Sequence, residues 1–382
     1  MDPVESRIGL SRSAATERML ERIGRYVAIE SPSRGVEALV RLADVVAADA
    51  AIAGGEVETF DADGLGRNLR ITFAGDTPQL HPLYVLGHLD TVHPRGTIET
   101  QPFRIAGDRL EGPGVFDMKS GIAIMLEALA LFAEGGRRPR RTVRVLLTCD
   151  EEIGSHAARG LFTTAADEAY AALVPEPSMD DGSLKTRRKG VGTYRIDAFG
   201  RAAHAGIEPE KAVSAIAELA SQIVHLLDLA DHARGTTINI GTIEGGTASN
   251  VVPAHAWATV DTRFLDPDEG ERLDRSLLAI GPVRTGARIE SVRTEMRPPL
   301  VRTTEIGSLA DQAVYLAAGL GVTIREGTSG GGSDGSLVAS LGLPVLDGLG
   351  PRGGGAHAID EHIMLSDLPF RLAFYMSLLE TI

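Results

Sequence analysis

Several short apolar runs in this chain stop abruptly at a histidine or a carboxylate, and that repeated pattern limits the folds open to it. Leu83-Tyr84-Val85-Leu86 stops at Gly87-His88-Leu89-Asp90-Thr91. Val143-Arg144-Val145-Leu146-Leu147 stops before Cys149-Asp150-Glu151-Glu152, and Ala171-Ala172-Leu173-Val174 stops at Pro175-Glu176-Pro177. Apolar runs this short, bounded by such breaks, read as strands buried on both faces. Between them lie stretches of helical period. Met19, Leu20, Ile23 and Val27 mark one helix; Val36, Leu39, Val40, Ala43 and Val46 mark a second. Ile122, Leu126 and Leu129 mark a third, closed by Gly135-Gly136. The alternation predicts an α/β domain with a mainly parallel sheet covered on both faces.

From about Gly190 the rhythm changes. Tyr194, Ile196 and Ala198 alternate with Arg195 and Asp197, as in a half-exposed strand. Pro209 is expected to open a helix through Val213, Ile216, Ala217, Ala220, Ile223, Val224 and Leu227. Strands follow at Thr237–Ile240 and Ala256–Val260, then a helix from Pro267 and a last strand from Ile289 to Met296. The order β-α-β-β-α-β is the ferredoxin-like unit. The expected organisation is therefore one α/β domain, residues 1–189 and 300–382, split by an α+β insertion at residues 190–299.

Composition narrows the function. The single cysteine, Cys149, excludes disulfides within the chain and thiolate metal sites, so any metal is held by His, Asp and Glu. A net charge of −14 argues against nucleic acid or an anionic membrane as partner. No basic and apolar leader is visible at the N-terminus, and no uninterrupted apolar run reaches the ~18 residues of a membrane span, so the expected location is cytoplasmic.

Open α/β sheets present ligands at the carboxyl ends of their strands. His88, Asp117, Glu151, Glu152, Glu176 and His357 are all read as falling at or just past such predicted ends. Two imidazoles and several carboxylates are a ligand set for divalent metals. Asp90, two residues past His88, suits a carboxylate that takes the second ring N–H of a ligating imidazole. Asp117 lies in Gly114-Val115-Phe116-Asp117-Met118-Lys119-Ser120-Gly121, where a carboxylate can bridge two cations. The adjacent Glu151 and Glu152 repel, which suggests divided roles: Glu152 as ligand, Glu151 as general base and acid. His357 follows the glycine cluster Gly353-Gly354-Gly355. Each segment alone has a bland reading as a surface turn or a helix cap. Thr328 to Gly335 lacks the lysine of a phosphate loop and is read as backbone lining a substrate cleft.

In order and spacing these segments resemble the M20 metallopeptidase family, in its glutamate carboxypeptidase branch, over most of the chain from Gly87 onward. The resemblance implies one metal held by His88 and Glu176, a second by Glu152 and His357, and Asp117 between them. It implies Asp90 as the support of His88, Glu151 as the proton shuttle, and the insertion as a lid through which the chain forms a homodimer. His204, in Gly200-Arg201-Ala202-Ala203-His204-Ala205-Gly206, resembles a lid histidine that polarises the scissile carbonyl in the partner's site. Asn250, Arg263 and Arg297 resemble positions near the substrate, Arg297 holding its carboxylate. Arginine suits that task through its planar fork.

The resemblance departs at one point. Where the branch carries a lysine for the side chain of a released glutamate, the alignment brings Ser183, with Lys185 nearby. The basic run Arg187-Arg188-Lys189 either compensates or forms a solvated hinge. The expected protein is a hydrolase with two divalent ions, zinc favoured and cobalt or manganese fitting the same cage. It would release a C-terminal amino acid from peptides or N-acyl amino acids. The alternatives are an aminoacylase with the same centre and a catalytically silent metal- or peptide-binding protein.

Overall fold

In the computed structural model, which describes residues 2–382, the chain divides into two compact units. The first comprises residues 1–186, 302–328 and 333–382; the second comprises 187–301 with 329–332.

The first unit is built on an eight-stranded sheet. Its strands lie in the order Glu56–Asp61, Arg67–Phe73, Val143–Thr148, Leu83–His88, Ala171–Val174, Val345–Asp347, Leu184–Arg188 and Glu326–Ser329. The four central strands run parallel, and antiparallel pairs flank them. Leu83–His88 is buried at every position, as its unbroken apolar run requires. The helix Ser120–Glu134 is buried almost all round, so it is a central helix rather than an amphipathic cover. Each of its leucines and isoleucines withdrawn from water contributes about 1.5–3 kcal/mol. The helix Arg12–Val27 buries only one stripe, Ala15, Met19, Ile23, Tyr26 and Val27, and Ser11 caps its start. A separate four-stranded sheet joins Arg104–Ala106 and Arg109–Glu111 to Gly353–Gly354 and His362–Met364, tying the C-terminal loops to the early chain. No helix among the described residues is long and apolar enough to cross a membrane.

The second unit is a four-stranded antiparallel sheet in the order Thr237–Gly245, His255–Phe264, Gly190–Phe199 and Arg288–Arg297. Its inward residues, Tyr194, Ile196, Ala198, Ala256, Ala258 and Val260, pack with Ala215, Leu219 and Leu273 from the helices Ala215–Leu227 and Pro267–Leu278. Arg195 and Asp197 alternate to the other face, where the guanidinium stacks 4.2 Å from the ring of Trp257.

The structure departs from the sequence reading in two places here. Pro209 opens only a short 3-10 turn, Pro209–Lys211. The helix starts at Ala215, where the Ser214 hydroxyl accepts from Ala217 N, and Val213 instead pairs across to Arg201. Arg188 is buried rather than a solvated hinge, and its Nη1 donates to the carbonyls of Gly331 and Gly332. Lys189 N likewise donates to Ser329 O, within the second unit.

Candidate metal centre

Three neighbouring parallel strands bring their carboxyl ends together. His88 is the last residue of Leu83–His88 and lies in register with Thr148. The chain beyond Thr148 turns through Glu151–Ile153, and the chain beyond Val174 reaches Glu176 after one proline. Asp117 sits in Val115–Lys119, just ahead of the helix Ser120–Glu134, and its peptide bond to Met118 is cis. Gly121 locks this loop against the one bearing Glu176, because a Cβ there would lie 1.8 Å from the Pro175 carbonyl oxygen.

The side chains form two adjoining pockets that share one carboxylate. Asp117 Oδ1 lies 3.1 Å from His88 Nε2, which is also 3.4 Å from Glu176 Oε1. Asp117 Oδ2 lies 3.4 Å from His357 Nε2, which is also 3.4 Å from Glu152 Oε2. His357 reaches in from a tight loop and has a positive φ of 64°. His88 is deeply buried, whereas the His357 side chain is about half exposed, so one pocket is enclosed and the other opens outward.

This cluster calls for positive charge. Burial opposes a charged His88, but hydrogen bonds to Asp117, Asp90 and Glu176 outweigh it and hold the imidazole pKa well above its ordinary value. Hydrogen bonds to Asp117 and Glu152 raise that of His357 to about 10. Burial also acts against Asp117, yet its contacts with His357 and His88 keep the carboxyl below the usual range. Burial pushes the Glu152 carboxyl up, and its Oε1 is enclosed without a hydrogen-bond partner. Oxygen and imidazole donors drawn this close, one of them orphaned, suit divalent cations. One atom from each of His88, Asp117 and Glu152 falls within a 4.8 Å span.

Asp90 does more than face His88. The ring nitrogen Nδ1 of His88 lies 2.9 Å from the backbone carbonyl of Asp90 and 3.5 Å from its carboxylate. The carboxylate also accepts from Glu151 N at 3.1 Å, Glu152 N at 3.2 Å and Ser33 Oγ at 2.7 Å. The backbone carbonyl makes the shorter contact with the ring, and the carboxylate also braces the Glu151-Glu152 turn. Asp334 holds the same turn from behind, accepting from Thr148 Oγ1 at 3.1 Å and from the Ser155 hydroxyl.

Sequence reasoning also missed Glu361. Fully buried, it accepts hydrogen bonds from the backbone N–H groups of Gly114, Phe116 and Asp117 and from His93. The one available cue was its position four residues past His357, in a segment otherwise read only for its histidine.

The remaining candidates lie in the second unit. The segments bearing His204 and Asn250 run side by side: Ala205 N donates to Asn250 O at 2.9 Å, and His204 bridges to Val251. His204 is exposed, with Nδ1 accepting from Gly206 N. Arg263 pairs with Asp261 through two hydrogen bonds of 2.8 and 2.9 Å. Arg297, buried at the end of its strand, packs so closely on Gly332 that a Cβ there would lie 2.7 Å from Arg297 Cδ. In the first unit, Ser183 is buried in a turn with its hydroxyl accepting from Arg325 N, while Lys185 lies on a strand opposite Asp347.

A mainly parallel sheet whose strand tips collect imidazoles and carboxylates, with a separate α+β unit inserted, is the arrangement of a metallohydrolase. The chain belongs to peptidase family M20/M25/M40, whose profile matches residues 84–381. It is 32% identical over 296 residues to carboxypeptidase G2 of Pseudomonas sp. strain RS-16, covering 76% of this chain and 71% of that one. It is 33% identical over 319 residues to a succinyl-diaminopimelate desuccinylase of Methylococcus capsulatus, covering 78% and 83%. Among solved structures, an M20 family metallo-carboxypeptidase from Sulfolobus solfataricus matches with a TM-score of 0.72 at 16% identity, covering 94% of this chain and 98% of the other. That last likeness is one of fold.

Proposed function

We propose that this hydrolase uses two divalent ions, preferably zinc, to release a C-terminal amino acid from a peptide or an N-acyl amino acid. The observation that carries the reading is the placement of the two Asp117 oxygens, one toward His88 and Glu176, the other toward His357 and Glu152. His88 and Glu176 would hold one ion, Glu152 and His357 the other, with Asp117 shared. Such ions, when bound, supply Lewis acidity toward the scissile carbonyl and toward water.

Glu151 is the general base and acid. It takes a proton from the attacking water and delivers it to the leaving nitrogen. Asp90 is a positioning residue, since it holds the backbone on which Glu151 and Glu152 sit. Arg297 binds the free carboxylate of the substrate, with Asn250 and Arg263 near it. His204 from a partner chain stabilises the developing oxyanion. Residues 1–189 and 300–382 are the catalytic domain and residues 190–299 the dimerising lid. Features of the second unit support a dimer: Thr237–Gly245 is an edge strand, and Ile216, Val224 and Leu227 are exposed on one side of the neighbouring helix.

The substrate side chain turns on Lys185, because Ser183 is committed to its turn. Resemblance to a desuccinylase supports a second reading, an N-acyl amino acid deacylase with the same centre. Turnover of dipeptides and of N-acyl amino acids, with and without chelator, tests both. Chelator-sensitive cleavage of N-acyl substrates alone favours the deacylase. Amide hydrolysis unaffected by metal removal would refute the metal centre.

A further inference from the structure

Glu361 joins the segments that deliver three of the ligand candidates. Its Oε1 accepts from Phe116 N at 2.8 Å and Asp117 N at 2.9 Å; its Oε2 accepts from Gly114 N at 2.8 Å and His93 Nε2 at 2.5 Å. Its backbone carbonyl adds weaker contacts at 3.4 Å to Gly112 N and Gln101 Nε2. The three amides belong to the loop that presents Asp117. His93 follows His88 by five residues, on the chain leaving the same strand tip. Glu361 itself closes the compact loop that presents His357, with its N–H on Ala358 O and Ala358 N on Gly355 O.

A buried carboxylate with four donors is fully satisfied, and none of those donors is solvent. Hydrogen bonds to a charged acceptor are shorter and stronger than neutral ones, so this hub is stiff. Its stiffness fixes the position of Asp117 relative to both imidazoles. A carboxylate shared by two ions must hold each oxygen to within a few tenths of an ångström, and loop fluctuation would loosen both pockets at once.

We propose that Glu361, assisted by His93, is a positioning residue that presets the spacing of the two metal pockets by clamping the Asp117 and His357 loops together. The inference rests on the metal-centre reading above and extends it to residues that touch neither ion.

The test is metal binding by chelator-treated protein, titrated calorimetrically with zinc chloride. Cobalt chloride provides the absorption spectrum of the occupied centre. Glu361→Gln keeps the volume but turns an amide NH2 toward two N–H donors. It should weaken metal affinity 10- to 100-fold, the loss typical when a partner behind a ligand is removed. The cobalt spectrum should change, and at saturating metal kcat should fall while KM for substrate stays near wild type. His93→Gln, which removes one donor and leaves the three amides in place, should give a smaller loss in the same direction. It decides the matter if Glu361→Gln does not fold, as judged by circular dichroism of the metal-free form. Folded variants that bind zinc with wild-type affinity and give the wild-type cobalt spectrum would overturn the proposal. A wild-type protein that binds no divalent metal would instead refute the metal centre itself, so the two failures are separable.

Discussion

Replacing Asp90 by Asn isolates what its carboxylate does. The structure gives the His88 ring nitrogen a backbone carbonyl at 2.9 Å and gives the carboxylate two backbone donors, Glu151 N and Glu152 N, plus the Ser33 hydroxyl. The asparagine oxygen can serve one amide, and its NH2 can donate to Ser33 Oγ after that hydroxyl rotates. One buried N–H is then left facing a donor. A hydrogen bond to a charged group contributes about 1.5–3 kcal/mol, and tenfold corresponds to about 1.4 kcal/mol. Local opening of the Glu151–Ile153 turn should therefore become about 10- to 150-fold more frequent. Hydrogen exchange of the peptide spanning Asp150–Ile153, measured by mass spectrometry on metal-free protein, reads this directly. The carbonyl that fixes His88 is unchanged, so at saturating zinc the variant should still take up its metals, while kcat falls as Glu151 loses its anchor. Exchange within threefold of wild type would refute the bracing role. Loss of metal without faster exchange would return Asp90 to the support of His88.

Glu151→Gln should lower kcat by about 10²–10⁴ with metal content unchanged; turnover within tenfold of wild type, or loss of metal, would remove it as the base. In metal-free protein, hydrogen bonds to Asp117 and Glu152 hold His357 at about 10, above its ordinary 6.5. Its contribution to stability is thus full below about pH 6.5 and lost as pH rises toward 10, so the melting temperature of chelator-treated protein should fall across that window. For the same reason zinc binding at pH 8 should release protons, seen as binding heats that vary with the buffer's ionisation enthalpy; buffer-independent heats would contradict the assignment. Lys185→Ala should raise KM for substrates ending in an acidic residue roughly tenfold and leave those ending in neutral residues unchanged. Equal effects on both would exclude a contact with the released side chain.

The sequence announces residues whose chemistry breaks a local pattern. His88 and Glu176 are legible because a histidine or a carboxylate directly after a fully apolar strand is costly unless something binds it, and the parallel sheet then decides which tips are neighbours. The antiparallel strands Glu56–Asp61 and Arg67–Phe73 escaped because charged residues interrupt them and the first is largely exposed, so neither makes an apolar run. Of the two readings open for Arg187-Arg188-Lys189, the solvated hinge fails at Arg188, which donates to main-chain carbonyls more than a hundred residues away.

Glu361 shows the same blindness in reverse. Three of its four side-chain partners are backbone amides, and every residue except proline supplies one, so no side-chain pattern can reveal the match. What distinguishes such a residue is burial, which only the fold provides. A carboxylate taken wholly out of water must find its donors inside the fold, and for Glu361 three of the four are main-chain amides. The loops able to offer several converging amides are those already bent to present a ligand. The supports of a metal centre should therefore be sought among buried acidic residues a few positions beyond a candidate ligand, at loops whose glycines free the backbone to turn inward.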